Sequence, residues 1–159
     1  MDTNRPNRKH PSRLELLDKG NRSNIIFVTV CTKQRTPQLN NLEFQQALIN
    51  AWDTSDHWKV GKYMIMPDHI HFFCSPNSHP PSSLRNWIKF WKRKTSQEIG
   101  RTNHSSLWQT DCWDRQVRNG SAYTEKWAYV LQNPVRAGLV SNSDEWPYQG
   151  ELNSLVWHD

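Results

Sequence analysis

The sequence lacks paired cysteines, long apolar runs and, over its first 140 residues, enough acidic side chains to balance its basic ones. Its three cysteines, Cys31, Cys74 and Cys112, are far apart, odd in number and without Cys-x-x-Cys spacing. This usage indicates small core or strand residues in a reducing compartment. No apolar run approaches the roughly 20 residues that span a bilayer, and the polar, basic N-terminus has no hydrophobic segment. We therefore expect a cytoplasmic protein that does not associate with a membrane.

The charge is distributed unevenly along the chain. All 20 Lys and Arg lie before residue 141 but four of the 15 Asp and Glu lie after it, so the body carries +9 and the end carries −4. A basic body favours a polyanionic partner, although a solvated basic surface explains the charge equally well. A chain of 159 residues is expected to form one domain. We divide it into a basic arm (1–23), a domain (24–140) and an acidic aromatic tail (141–159).

The hydrophobic pattern predicts the element order β-α-β-β-α-β, followed by one further helix. The predicted strands cover residues 24–32, 58–66, 69–75 and 107–117, and the predicted helices cover residues 42–56, 81–99 and 123–132. This order is that of the α+β, ferredoxin-like fold, in which helices back an antiparallel sheet. The RNA-recognition module shares the same order.

Two histidines in an apolar stretch, His69 and His71, are the most informative pair of residues. Side chains alternate along a strand, so residues i and i+2 face the same side, about 6.6 Å apart along the backbone. From that spacing, two imidazole nitrogens can bind one metal ion at about 2.0 to 2.1 Å each. For an isolated His-x-His pair, two ordinary strand histidines are the simpler explanation, so the metal hypothesis depends on further residues.

The helix that follows Pro81 has a strongly basic side. Four apolar residues recur at helical spacing and form its predicted core side: Leu84, Trp87, Ile88 and Trp91. The adjoining face carries four basic residues: Arg85, Lys89, Lys92 and Arg93. No acidic residue occurs from position 82 to position 97. A helical face this basic favours contact with nucleic-acid phosphates over a role in solubility alone.

The last predicted helix gives its two tyrosines different environments. Four of its residues fall on one stripe that should pack on the sheet: Tyr123, Trp127, Val130 and Leu131. Tyr129 lies roughly 145° from the centre of that stripe at 100° per residue, so it faces away from the sheet. Asn133 lies one turn further on the same side. Because Pro134 disfavours helix at the residue before it, Asn133 should end the helix with its side chain directed outward.

Together these residues resemble the IS200-like, single-tyrosine HUH transposases and, within them, the REP-associated tyrosine transposases. The resemblance covers roughly Ile25–Tyr148. It rests on Met66–His71 (MPDHIH) and Tyr129–Val140 (YVLQNPVRAGLV), with Leu107–Gln109 and Trp113-Asp114 between them. The His-hydrophobic-His element alone is a weak signal, but the two longer motifs, whose key residues lie about 60 positions apart, are highly specific.

The resemblance implies a ferredoxin-like fold and a role for each candidate residue. His69 and His71 are then metal ligands, Asn133 is the third ligand and Tyr129 is the nucleophile, with Mg²⁺ or Mn²⁺ as the cofactor. Relatives in simple insertion sequences more often carry Gln, one methylene longer, in place of Asn133. The implied reaction is cleavage of single-stranded DNA beside a hairpin through a 5′-phosphotyrosine, which a 3′-OH resolves without ATP. Insertion-sequence relatives are dimers and the REP-associated branch is monomeric, so monomer and homodimer both stay open.

Two other interpretations compete with the transposase. A rolling-circle replication initiator or relaxase uses the same HUH chemistry, although the Asn133–Leu139 stretch and the small size favour the transposase branch. A non-catalytic or domesticated nucleic-acid-binding module with an RNA-recognition fold would explain the charge and the aromatic residues. It would leave His69, His71, Tyr129 and Asn133 without a shared purpose. The acidic tail is either a structural brace or an inhibitor that docks on the DNA-binding surface.

Overall fold

The computed structural model describes residues 24–78, 80–100 and 107–155, so that the predicted basic arm (1–23) and the end of the tail (156–159) lie outside the described residues. The strands are β1 (Ile25–Cys31), β2 (Trp58–Ile65), β3 (His69–Pro76), β4 (Trp113–Val117) and β5 (Gln149–Glu151). The helices are α1 (Leu42–Thr54), α2 (Leu84–Glu98), α3 (Gly120–Leu131) and α4 (Asn133–Arg136). None of these helices is long and apolar enough to cross a membrane.

The five strands form one antiparallel sheet in the order β4-β1-β3-β2-β5. β3 is the central strand and pairs with β1 on one side and with β2 on the other. The predicted order β-α-β-β-α-β with a further helix is therefore confirmed, and with it the ferredoxin-like α+β fold.

Besides α4, which begins at Asn133 where the prediction ended the last helix, two differences from the predicted elements lie at the edges of the sheet. The strand predicted over residues 107–117 begins only at Trp113, because Leu107 and Trp108 turn into the core between the sheet and the helices. A single bridge between Thr32 and Trp108 joins this irregular segment to the end of β1. The second difference is β5, whose three residues carry no alternating apolar pattern and which pairs with the free edge of β2.

One face of the sheet is covered by α1 and α2 and holds the largest hydrophobic core. β3 contributes Ile70 and Phe72 to this face. Three tryptophans pack against the Phe72 ring with centroid distances of 5.0 to 5.9 Å: Trp52, Trp87 and Trp91. The burial of such large rings in tilted and edge-to-face contacts contributes strongly to stability. The core positions predicted for α2 are confirmed.

The opposite face of the sheet is covered by α3. The ring of Phe73 lies 4.4 Å from that of Tyr123 and 6.1 Å from that of Trp127, centroid to centroid. Further along α3, Val130 is buried, whereas the neighbouring Tyr129 is 63% exposed. The structure therefore confirms which side of this helix packs on the sheet and shows that Tyr129 is not part of the core.

Residues 141–155 return along the edge of β2. Trp146 is buried, and its indole N–H donates a hydrogen bond of 2.9 Å to the carbonyl oxygen of Ile65. β5 then adds a strand to the sheet, and the amide of Asn153 donates to the carbonyl oxygen of Val60 at 2.9 Å. A buried indole and strand pairing are the contacts that a structural brace requires.

Candidate functional site

His69 and His71 lie next to each other on the face of the sheet that α3 covers. Because β3 alternates its side chains, Ile70 and Phe72 enter the core beneath α1 and α2, and the two histidines face the other way. The imidazole rings are 4.7 Å apart, centroid to centroid, and meet nearly edge to face. The structure thus brings the two predicted ligands together on one face.

His71 is held by its neighbours on β1. The Thr29 side chain lies directly across from it, with 2.7 Å between Thr29 Oγ1 and His71 Nδ1. Phe27 stacks on the imidazole, with ring centroids 5.3 Å apart. Burial, assisted by the nearby positive charges of His69, Lys126 and other basic groups, lowers the pKa of His71 to about 3. The imidazole is therefore neutral at physiological pH, which is the state that binds a metal.

His69 is held by the residue before it. Its Nδ1 lies 2.7 Å from Oδ1 of Asp68, at the turn between β2 and β3. With Nδ1 engaged by Asp68 in one ring and by Thr29 in the other, a metal ion bound by the two histidines would be bound through Nε2 of each. Neither Asp68 nor Thr29 was assigned a role from the sequence.

The last turn of α3 lies beside the histidine pair. α3 begins after Asn119, whose side chain accepts a hydrogen bond of 2.7 Å from the backbone N–H of Ala122. Its buried Val130 packs with Met64 and Met66, the β2 residue opposite His71 and the residue that follows β2. This packing carries the exposed Tyr129 to the same face of the sheet as the histidines. Burial raises the pKa of Tyr123 on the preceding turns, as expected for a packed phenol.

Arg136 links Tyr129 to Asn133. Its guanidinium lies 4.0 Å from the centroid of the Tyr129 ring, and Nη2 donates to the carbonyl oxygen of Tyr129 at 2.9 Å. The same nitrogen donates a hydrogen bond to Oδ1 of Asn133. A carbonyl oxygen has two lone pairs, so Asn133 Oδ1 retains one for a further contact. The nucleophile and third ligand implied by the resemblance therefore belong to one cluster with an arginine that the sequence did not single out.

Lys126 is a second cationic side chain that the sequence did not single out. It lies on α3, and its Nζ is 5.2 Å from the centroid of Phe27, the ring that stacks on His71. The positive charges of both Lys126 and Arg136 contribute to the low pKa of His71. The signal in the sequence was helical spacing, since Lys126 precedes Tyr129 by three residues.

The donor atoms at this site fit a divalent cation. Within residues 24–78, 80–100 and 107–155, no group of three or more His, Cys, Asp and Glu side chains could hold a metal ion. His69 and His71 are the donors that the structure brings together, and two imidazoles leave positions on a metal ion for phosphate oxygens. Imidazole ligands favour Mn²⁺ over Mg²⁺. That Asn133 is a ligand stays a prediction.

The basic side of α2 lies away from the histidine pair. α2 packs on the opposite face of the sheet, where Arg85, Lys89 and Arg93 are exposed. Lys89 and Arg93 line a groove together with the segment that contains Trp108 and Gln109. This segment adjoins the strand next to His69, since the backbone N–H of Gln109 donates to the carbonyl oxygen of the last residue of β1. The groove therefore adjoins the end of β1 that pairs with His69.

Lys92 does not belong to the exposed basic side, contrary to the prediction. It is 4% exposed, and its Nζ donates a hydrogen bond of 2.8 Å to the carbonyl oxygen of Gln109. Burial lowers its pKa. Helical spacing predicted that Lys92 lies on the surface. That spacing carries no information about the segment after residue 106, which folds over Lys92. We therefore remove Lys92 from the phosphate-binding residues.

Comparison with known proteins gives a consistent picture. A family model described as "Transposase IS200 like" matches residues 22–130. The chain is 25% identical to the REP-associated tyrosine transposase of Escherichia coli (strain K12) over 126 residues, which are 77% of this chain and 73% of the relative. A solved structure of a REP-associated tyrosine transposase bound to a REP hairpin has a similar fold, with a TM-score of 0.67 and 22% identity. The match covers 80% of this chain and 76% of that one.

The environment of His71 predicts how stability depends on pH. The folded state holds the pKa of His71 at about 3, below the value of about 6.5 in an unfolded chain. Between these values only the unfolded chain takes up the proton, so stability falls as the pH falls. From pH 7 to pH 5, His71 alone should remove about 2 kcal/mol from the free energy of unfolding.

Urea unfolding in EDTA should show this loss in the wild-type protein and a loss smaller by about 2 kcal/mol in His71→Gln. Because the other titrating groups are common to both proteins, parallel pH profiles would show that His71 titrates normally in the folded state.

Proposed function

Because the chain belongs to the IS200-like transposases, we propose that it is a metal-dependent endonuclease and strand transferase acting on single-stranded DNA next to a hairpin. One observation carries the proposal: His69 and His71 share a sheet face with the end of the helix that presents Tyr129. A structural role alone accounts for none of these three placements, since both imidazoles are only partly buried and the tyrosine is 63% exposed.

Tyr129 is the proposed nucleophile. A phenol, with an ordinary pKa of about 10, needs activation to react at neutral pH. Attack of its oxygen on the scissile phosphorus forms a 5′-phosphotyrosine, and the phenolic proton passes to water. The bond from phosphorus to the 3′ oxygen breaks, and that oxygen takes up a proton and leaves as a 3′-OH. The same 3′-OH, or one from another strand, can reverse the step, so joining needs no ATP.

The groups around Tyr129 suit a phosphodiester. A divalent metal ion, Mn²⁺ or Mg²⁺, held by His69, His71 and Asn133 would polarise the scissile phosphate and stabilise its developing charge. Arg136, against the Tyr129 ring, can donate to a phosphate oxygen as that charge develops. Lys126 adds positive charge on the same face of the sheet.

The proposed substrate follows from the number of nucleophiles and from the relatives. One tyrosine forms one covalent link at a time, which suits the cutting of a single strand. The similar solved structure is of a transposase bound to a REP hairpin, so we infer that an imperfect palindrome folded as a hairpin directs this chain to its cleavage point. Arg85, Lys89 and Arg93 would hold the DNA backbone beyond the site.

Replacing the nucleophile tests the reaction directly. Tyr129→Phe should abolish the SDS-resistant adduct with a labelled single-stranded hairpin in Mn²⁺, because it removes only the attacking oxygen. Hairpin binding, measured by anisotropy, should change less than about twofold, since the ring remains.

Tyr123→Phe is the matched control. Its ring packs on Phe73 and makes no contribution to the chemistry, so the adduct should form normally. Loss of the adduct in Tyr123→Phe with retention in Tyr129→Phe would contradict the assignment, as would full adduct formation by the wild-type protein in EDTA.

The exposed basic residues of α2 lead to a separate prediction about the salt dependence of DNA binding. Lys89→Gln and Arg93→Gln should each weaken binding equally for all hairpin sequences and reduce the slope of log K against log salt by about one unit. Lys92→Met should change thermal stability and leave the slope unaltered, since Lys92 is buried. Unchanged slopes in Lys89→Gln and Arg93→Gln would assign these charges to solubility.

A further inference from the structure

The turn after β1 holds its backbone in a conformation that side chains normally avoid. Gln34 has φ of 58° and Arg35 has φ of 54°, and they are the non-glycine residues of the described chain with positive φ. This left-handed region is disfavoured for L-residues with a side chain, and two in succession are unusual. Such backbone conformations occur where the surroundings enforce them, often at functional sites.

Hydrogen bonds from three directions hold this turn. The backbone N–H of Thr32 donates to the carbonyl oxygen of Asp68 at 2.9 Å, and its hydroxyl donates to the same oxygen at 3.1 Å. The N–H of Lys33 donates to the carbonyl oxygen of Leu107 at 3.0 Å. The chain beyond the turn is held as well, since Gln38 N–H donates to Pro67 O at 2.8 Å. The turn is therefore fixed against the β2–β3 connection that precedes His69.

The side chain that this backbone delivers is that of Arg35. Its Nε donates a hydrogen bond of 2.9 Å to Oδ2 of Asp68, while Oδ1 of Asp68 lies 2.7 Å from Nδ1 of His69. Because Oδ2 accepts a hydrogen bond from the guanidinium, which is always charged, Asp68 acts as a carboxylate whose oxygens only accept hydrogen bonds.

The ionised carboxylate decides the tautomer of His69. An acceptor 2.7 Å from Nδ1 requires the proton on Nδ1, which places the lone pair of the neutral ring on Nε2. Arg35 Nη2 lies 3.4 Å from the same nitrogen; since both atoms carry protons, this contact is not a hydrogen bond. The guanidinium instead acts through Asp68: its Nε–H donates to Oδ2, which balances the charge of the carboxylate and orients it.

We propose that Arg35 is a positioning residue for the metal site: through Asp68 it fixes the ring orientation and the Nδ1-protonated tautomer of His69. This inference rests on the proposed function, because it takes His69 to be a metal ligand. Hydrogen bonds from a ligand histidine to a carboxylate are a general means of orienting the ring and raising its basicity. The new element is Arg35, which has a left-handed backbone conformation and reaches that carboxylate from 33 residues earlier in the chain.

The proposal can be tested by measuring the Mn²⁺ affinity of the full chain, without DNA, by isothermal titration calorimetry. Asp68→Asn should weaken Mn²⁺ binding by about 10- to 100-fold, and Arg35→Gln by about tenfold, as is usual when such partners of a ligand are lost. Lys33→Gln is the matched control: it removes the same charge from the same turn, where the hydrogen bonds of Lys33 with other described residues are made by its backbone. Its Mn²⁺ affinity should equal that of the wild-type protein.

Arg35→Gly separates positioning from structural support. Glycine accepts positive φ without strain, so this variant should keep or raise the melting temperature while it weakens Mn²⁺ binding as Arg35→Gln does. A lower melting temperature with unchanged Mn²⁺ affinity would make Arg35 a structural residue and overturn the proposal.

The tautomer of His69 can be determined by NMR in the absence of metal. Long-range ¹⁵N–¹H spectra of the neutral His69 ring should show the proton on Nδ1 in the wild-type protein and a mixture of tautomers in Arg35→Gln. A wild-type ring protonated on Nε2 would overturn the proposal.

His69→Ala distinguishes this inference from the proposed function. If it abolishes Mn²⁺ binding while Arg35→Gln and Asp68→Asn bind as the wild-type protein does, the positioning role is wrong and the metal site stands. If the wild-type protein binds no Mn²⁺, or His69→Ala binds it equally well, the metal site fails and the positioning role fails with it.

Discussion

The register of β3 between its two neighbours is the constraint on which the site depends. In this register, Thr29 and Met64 lie on either side of His71. A slip of one residue would turn both imidazoles into the tryptophan-rich core and expose Phe72, because side chains alternate strictly along a strand. Burying two polar rings among apolar ones is costly, and so is exposing a large aromatic ring. The core on one face therefore fixes the direction in which the two imidazoles point on the other.

The second half of the site depends on packing as well. Tyr129 is placed by its neighbour Val130, which is buried, while the tyrosine itself stays exposed. The segment after residue 140 supports this arrangement, because its Trp146 packs in the same cluster as Val130. Catalytic geometry is most precise on helices and strands that are locked by their own packing. The ring of Tyr129 is then oriented by Arg136. Because Arg136 also contacts Asn133, one guanidinium holds both residues in place where α3 ends and α4 begins.

Sequence periodicity could predict the parts of this site that local geometry decides. The shared face of His69 and His71, and the outward direction of Tyr129, follow from the repeats of a strand and a helix. Lys92 shows the limit of that reasoning, because its burial depends on a segment about 17 residues away that folds over it. Arg35 shows this limit of sequence periodicity more strongly. Neither the left-handed backbone of Arg35 nor its meeting with the β2–β3 turn has a signature in the local sequence.

The measurement that tests the account most directly is mass spectrometry of the covalent adduct between the protein and a cleaved hairpin strand. Trypsin cuts after Lys126 and Arg136 and releases residues 127–136, whose sole tyrosine is Tyr129, whereas Tyr123 is released in residues 119–126. We expect the 5′-phosphate of the DNA to be attached to the peptide 127–136, and only when Mn²⁺ or Mg²⁺ is present. Attachment to residues 119–126, or to Tyr129 equally well in EDTA, would contradict it.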